Sequence, residues 1–292
     1  RSVGGGWRLG AFTGLTPDWD SAATWTDDRL AGLVAHLRRG HRLHGRLDLS
    51  LVAVSRRRAG EIDRDYLAMS GTWQRDRMSL THVAQLDLNR GWRRDADDHA
   101  LILGNVMISG RWRPDDRLRL SLTLDDREPV RSWSNRSLPD SLFEDAGRRG
   151  LRAGVAWRAG RASVSANGGL RRNDRYDDPT ASYRISASHR DWPASGLAVG
   201  ASIHGYDGPT SRGVSPSLRL TQGDRAGGTT RLALGSRTYE LTAFDRRSTG
   251  RWLSVAHDRS LGRVWSVGLE ARWDGGDDTA GHRFFLELRR RL

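Results

Sequence analysis

The chain has 292 residues and no cysteine, only 37% of it is apolar, and its 48 basic residues, every one an arginine, outweigh 35 acidic ones for a net charge of +13. That apolar share falls below the roughly 45–50% of a globular domain, and no apolar run approaches the roughly 20 residues of a spanning helix. A thick soluble core and a helical membrane span are therefore both disfavoured, whereas spanning strands need apolar residues only at alternate positions. The missing thiols fit an oxidising envelope compartment. All-arginine usage is what a GC-rich genome produces, but the charge still favours anionic partners such as lipid phosphate, acidic polymers or nucleic acid.

Period-2 alternation runs through the chain and predicts strands. Leu47, Leu49, Leu51 and Ala53 oppose Arg46, Asp48 and Ser50. Further on, Leu118, Leu120, Leu122 and Leu124 alternate with Arg117, Arg119, Ser121 and Thr123. Trp265, Val267, Leu269, Ala271 and Trp273 alternate with Ser266, Gly268, Glu270 and Arg272, and the last segment sets Phe284, Leu286 and Leu288 against Arg283, Glu287 and Arg289. On this register His82 and His189 fall on the apolar face.

The connections alternate in kind. Seven are short and carry Gly, Pro or Asp, residues suited to tight hairpins: 38–42, 74–77, 114–116, 158–161, 193–196, 223–227 and 259–263. Eight are expected to be longer and charged: Gly14–Asp28, Arg56–Asp65, Arg90–Asp98, Asp125–Gly147, Arg171–Thr180, Tyr206–Gly213, Glu240–Gly250 and Asp274–Gly281. Interleaved, they predict sixteen strands with both ends on the short-turn side. The fold expected is all-β, a closed antiparallel transmembrane barrel with short periplasmic turns and longer external loops, formed by residues 1–292 as one domain. Trp73, Trp112, Trp157, Trp192 and Trp273 lie near strand ends, four of them beside short turns, as an aromatic girdle would. A soluble β-propeller or sandwich shares the short strands and recurrent Trp, but propeller inner strands should be apolar on both faces, and a sandwich has no reason to sort its connections into short and long sets.

No catalytic motif is present: no nucleophile elbow, zincin pair, phosphate loop or Cys/His metal spacing. No enzyme activity, cofactor or metal is expected. Asp97/Asp98 and Asp277/Asp278 in the charged loops read as solvated charge rather than cation ligands. With the apolar face outward, the inner face receives Arg46, Arg111, Arg113, Arg119, Arg152, Arg184, Arg219, Arg231, Arg237, Arg272, Arg283 and Arg289. A charge at the lipid midplane costs about 2–4 kcal/mol, which favours this assignment. Inward carboxylates at Asp48, Asp87, Glu270 and Glu287 are fewer, so a positive lumen that selects anions is expected. Nucleic acid is not an expected partner, because the arginines are spread over every hairpin and mixed with acids.

The whole alternating chain resembles Gram-negative outer-membrane β-barrels. It ends Phe284-Phe285-Leu286-Glu287-Leu288-Arg289-Arg290-Arg291-Leu292, with Leu where such barrels usually place an aromatic residue. Opening at Arg1 without a leader, it also resembles the C-terminal sixteen-stranded pore domain of an exopolysaccharide exporter or similar envelope translocator, and such a resemblance implies a periplasmic domain or partner before Arg1. What these resemblances imply is a bacterial outer-membrane location, contact with lipid or lipopolysaccharide, and transport of an anionic solute or exported polymer such as exopolysaccharide. The alternative functions are a surface-assembly or adhesion barrel, whose loop 125–147 with Trp133 and Phe143 binds a partner or plugs the lumen, and a soluble propeller that acts as a binding module.

Overall fold

The computed structural model describes residues 6–17, 25–41, 45–58, 60–96, 99–128, 130, 147–173, 176, 178–192, 196–224, 227–262, 264–277 and 280–290. The strands are β1 (Gly6–Pro17), β2 (Trp25–His41), β3 (Gly45–Arg58), β4 (Glu61–Arg75), β5 (Met78–Leu88), β6 (Leu101–Trp112), β7 (Leu118–Arg127) and β8 (Arg148–Ala159). They continue as β9 (Ala162–Arg172), β10 (Thr180–Arg190), β11 (Leu197–Asp207), β12 (Ser211–Gly223), β13 (Gly228–Leu241), β14 (Arg246–Leu261), β15 (Trp265–Gly276) and β16 (Gly281–Arg290). A one-turn helix α1 (Trp92–Ala96) follows β5, and a 3-10 turn (Thr242–Phe244) follows β13. The strands stand in sequence order in a 16-stranded sheet, an up-and-down arrangement that rules out propeller blades.

The chain divides into two compact units. The first comprises Arg1–Pro114, Ser121–Arg152 and Arg171–Asp177; the second comprises Asp115–Leu120, Ala153–Leu170 and Asp178–Leu292. In the first, residues directly opposite across each ladder share a face, so Leu9, Ala35, Leu51, Met69 and Ala84 form one apolar row through the pairs Leu9↔Ala35, Ala35↔Leu51, Leu51↔Met69 and Met69↔Ala84. The ladders of this unit shift register between Leu15 and Pro17 and at two further bulges. The register skips Asp63 between Arg56↔Arg64 and Arg57↔Ile62, and Gly104 between Gln85↔Asn105 and Leu86↔Leu103. In the second unit the apolar row Ala187, Ala201, Leu218, Leu234, Leu253 and Trp273 is built in the same way.

The burial pattern inverts that of a soluble protein. Among the described residues the buried apolar side chains are Val54 and Ala233, at 7% and 8% exposure, while Asp63 and Asp87 are each 1% exposed. Leu9 at 82%, Leu33 at 65% and Phe284 at 81% stand open on the apolar face. Water would penalise such a continuous apolar surface at about 25 cal/mol per Å²; lipid does not.

The short turns at 74–77, 114–116 and 158–161 fall where the sequence expects them, whereas residues 38–41 continue β2. Residues 42, 193–195, 225–226 and 263 of the other expected turns lie outside the described residues. Asp76 (φ 44°) and Gly160 (φ 54°) supply the left-handed conformations that two turns need. Three of the connections expected to be long are instead tight. β3 ends at Arg58 and β4 starts at Glu61, β11 ends at Asp207 and β12 starts at Ser211, and only a 3-10 turn and Asp245 separate β13 from β14. Charge marks these segments as loops in the sequence, yet cross-strand ion pairs hold them in the ladder. Arg56 Nε lies 3.1 Å from Asp63, and Arg212 donates to both oxygens of Glu240 at 2.8 and 2.9 Å. The connection 89–100 is also more structured than expected, since it carries α1.

Candidate functional site

The polar face of the second unit gathers seven of the predicted arginines. Arg184 opposes His204, Arg219 opposes Gly200 and Ala233, Arg231 opposes Thr221 and Ala256, and Arg237 opposes Gly250. Arg272 opposes Ser254 and Arg283, and Arg289 opposes Ser266. A depression of ≈ 350 Å³ opens on this face, lined by Arg219, Arg231, Asp258, Glu270, Glu287 and Arg289 among others.

Part of this charge is neutralised in place. Arg231 pairs with Asp258, and Arg289 Nη2 donates to Glu287 at 2.5 Å. Arg272 donates from Nε and Nη2 to the two oxygens of Asp274, both at 2.8 Å, a fork geometry that favours arginine over lysine. Arg283 reaches the same carboxylate at 3.5 Å. The Arg272 guanidinium also lies 5.3 Å from the ring centre of Trp252. Among the described residues no carboxylate pairs with Arg184, Arg219 or Arg237. Between these arginines run hydroxyl pairs, Ser163–Ser188 at 2.8 Å, Ser165–Ser186 at 2.7 Å and Ser202–Ser217 at 2.8 Å, so the surface is wettable throughout. Arg119 belongs to this unit through the first half of β7.

In the first unit Arg46 faces Gly40 and Gln74 on the polar side, 3.8 Å from Asp48, which also accepts from His36 Nε2 at 2.8 Å. Arg111 opposes Ser79 on the same side, and Arg113 lies just past β6, its N–H donating to the Arg77 carbonyl. Arg152 stands on β8, two positions from Gly150, where a Cβ would come 2.6 Å from Asp125 Oδ1.

A denser charged cluster caps this unit's polar face, and only its Asp87 is legible in the sequence as an inward acid. Asp87 accepts from Arg64 Nε at 2.5 Å and Nη2 at 2.9 Å and from Gln85 at 3.1 Å, while Arg93 of α1 lies 3.5 Å away. Trp92 Nε1 donates to the Ile62 carbonyl at 2.6 Å, which ties α1 to β4. Burial pulls the Arg93 guanidinium below its ordinary pKa, partly offset by attraction to Asp87. The bulge at Gly104 makes the room, since a Cβ there would stand 2.7 Å from Asp87 Oδ2. The spacing of Arg64, Asp87 and Arg93 carries no motif; only the ladder and the inward turn of the connection bring them together.

The predicted girdle tryptophans sit at strand ends. Trp73 opposes Leu47 and Leu80, Trp112 closes β6, Trp157 lies near the end of β8, Trp192 follows β10 with its N–H donating to the Leu197 carbonyl, and Trp273 opposes Leu253. Trp7 and Trp265 extend the set at short-turn ends, and the Arg290 guanidinium lies 6.0 Å from the Trp265 ring centre. His82 and His189 do lie on the apolar face, opposite Gly71 and Val199. Asp277 is occupied in capping β14, accepting from the Thr249 N–H at 2.8 Å. No group of three or more His, Asp or Glu side chains suited to a metal ion occurs among the described residues. Trp133, Phe143, Asp97, Asp98 and Asp278 lie outside the described residues.

No family model matches the chain, and no curated protein matches it in sequence. Solved structures do. A loop L8 deletion mutant of OmpT, an outer membrane protein of Vibrio cholerae, aligns over 98% of this chain and 97% of its own at TM-score 0.52 and 11% identity. OccD3 (OpdP) of Pseudomonas aeruginosa aligns over 100% of this chain and 92% of its own at TM-score 0.53 and 10% identity. The fold is that of the outer-membrane β-barrels, and the location expected from the alternation agrees with it.

Proposed function

We propose that this chain is an outer-membrane pore whose polar face lines the lumen and passes an anionic solute or exported polymer, without catalysis. The observation that carries this reading is the recurrence of arginine on the polar face of each unit, as at Arg46 on β3 in the first and Arg219 and Arg289 in the second, with several guanidiniums that no described carboxylate neutralises. In a confined aqueous passage such a surplus raises the local concentration of anions and repels cations. The apolar face meets lipid or lipopolysaccharide, the end that holds the turns at Asp76 and Gly160 faces the periplasm, and residues 1–292 act as one barrel that receives cargo from a periplasmic domain or partner. Reconstitution in planar bilayers under a KCl gradient tests the reading. The expected result is a conducting channel whose reversal potential has the sign of chloride preference; absence of conductance, or cation preference, would overturn it.

A further inference from the structure

The apolar face of the second unit holds one feature that a pore does not require. The small side chains of Ala187 and Ala201 leave a trough among Ile185, Ile203, Leu218 and Leu234, a groove of ≈ 590 Å³, within the roughly 300–1,000 Å³ range of ligand clefts. Arg251 stands at its edge. It is exposed and opposes Ser236 on β13 and Gly275 on β15, where the Trp273 ring lies across the glycine. One pair further along the strands, Leu253 opposes Trp273. A bare guanidinium beside an apolar trough is expensive in lipid unless it reaches the headgroup level or meets an anion.

Another arginine on this face differs. Arg212 on the same face is held in a fork by Glu240, whereas no carboxylate among the described residues pairs with Arg251. We infer that this groove is a lipid site, in which one acyl chain lies over Ala187 and Ala201 against Leu218 and Leu234 while the lipid's phosphate accepts hydrogen bonds from Arg251. The charge complementarity is specific. Guanidinium donates through two parallel N–H groups to phosphate oxygens, and Ser236 adds a hydroxyl beside it. The occupant is thus an anionic, phosphate-bearing lipid of the surrounding membrane.

The test is native mass spectrometry of delipidated, detergent-solubilised protein titrated with phosphatidylglycerol, phosphatidylcholine or inorganic phosphate. The expected result is one tightly held phosphatidylglycerol, weakened about tenfold in R251Q and equally in A201F, which fills the trough. Binding of phosphatidylglycerol by R251Q within twofold of the unaltered chain overturns the proposal. So does equal retention of phosphatidylcholine, which would mean a groove for chains alone, or inorganic phosphate binding as tightly as the lipid. The inference rests on the apolar face meeting lipid. Recovery of the unaltered chain in the soluble fraction defeats that reading itself, whereas a membrane-embedded chain indifferent to R251Q defeats only the lipid site.

Discussion

Arg64 and Asp87 meet at two points, Nε on Oδ1 at 2.5 Å and Nη2 on Oδ2 at 2.9 Å, across adjacent strands and beneath the helix that carries Arg93. Asp87 is 1% exposed and Arg93 5%, so one carboxylate compensates buried positive charge from two directions. Removing it leaves Arg64 without this carboxylate and Arg93 with the lesser attraction of Asp63. Breaking a buried pair by deleting one partner costs about 3–5 kcal/mol, because the survivor stays desolvated and unpaired. Asp87→Ala is expected to destabilise the fold by that order and to free α1 first. Urea unfolding together with hydrogen exchange at Trp92–Arg94 checks both expectations, and unchanged exchange there would show that Asp87 does not hold α1.

Gly104→Ala tests the same cluster from the backbone side. Its Cβ would stand 2.7 Å from Asp87 Oδ2, closer than side chains tolerate, so the carboxylate must move off Arg64 or the bulge must open. Overpacking of this kind costs about 1–3 kcal/mol. Combined with Asp87→Ala the penalty should shrink, since the clashing atom is gone. A double variant that simply sums the two losses would show that Gly104 serves something other than Asp87.

The strands and faces were legible because alternation is a local property. The four leucines from Leu118 to Leu124 declare their face without reference to any partner. Strand ends were less so. At Arg56, Asp63, Arg212 and Glu240 polar composition suggests loop, while cross-strand pairing extends the ladder, and pairing depends on which strands adjoin. Arg272 shows the same limit within the site. Its inward placement follows from alternation, but its neutralisation by Asp274, two residues on, is a matter of rotamer and strand curvature. The Arg64–Asp87–Arg93 cluster needed a bulge and an inward-turning connection, neither of which has a periodicity to read.

Consecutive residues on β14 offer a sharp test of the register. Val255 opposes Leu232 and Ala271 on the apolar face, whereas Ala256 opposes Arg231 and Glu270 on the polar face. Arginine on the lipid face near the midplane costs about 2–4 kcal/mol, but on the polar side it meets water and Glu270. Val255→Arg is therefore expected to lower folding stability in lipid vesicles by that amount, and Ala256→Arg to leave it nearly unchanged. Equal losses at the two sites would mean that the faces are misassigned.

The arginines are not equivalent as selectors of anions. Arg272 is already matched by Asp274, so the pair's net field is small, and removing both charges together with Arg272→Gln and Asp274→Asn should shift the reversal potential little. Arg184, Arg219 and Arg237 have no described carboxylate against them and should carry most of the preference. A unit charge about 10 Å from a permeating ion in water is worth about 0.4 kcal/mol, roughly a twofold change in partition. Removing all three by Arg→Gln should thus cut the chloride-to-potassium permeability ratio several-fold, and by less at high salt, where the Debye length falls to about 3 Å at 1 M. Glutamine keeps the polar, hydrogen-bonding wall, so conductance itself should persist. A triple variant with unaltered reversal potential would show that selectivity, if the channel has any, arises elsewhere than on this face.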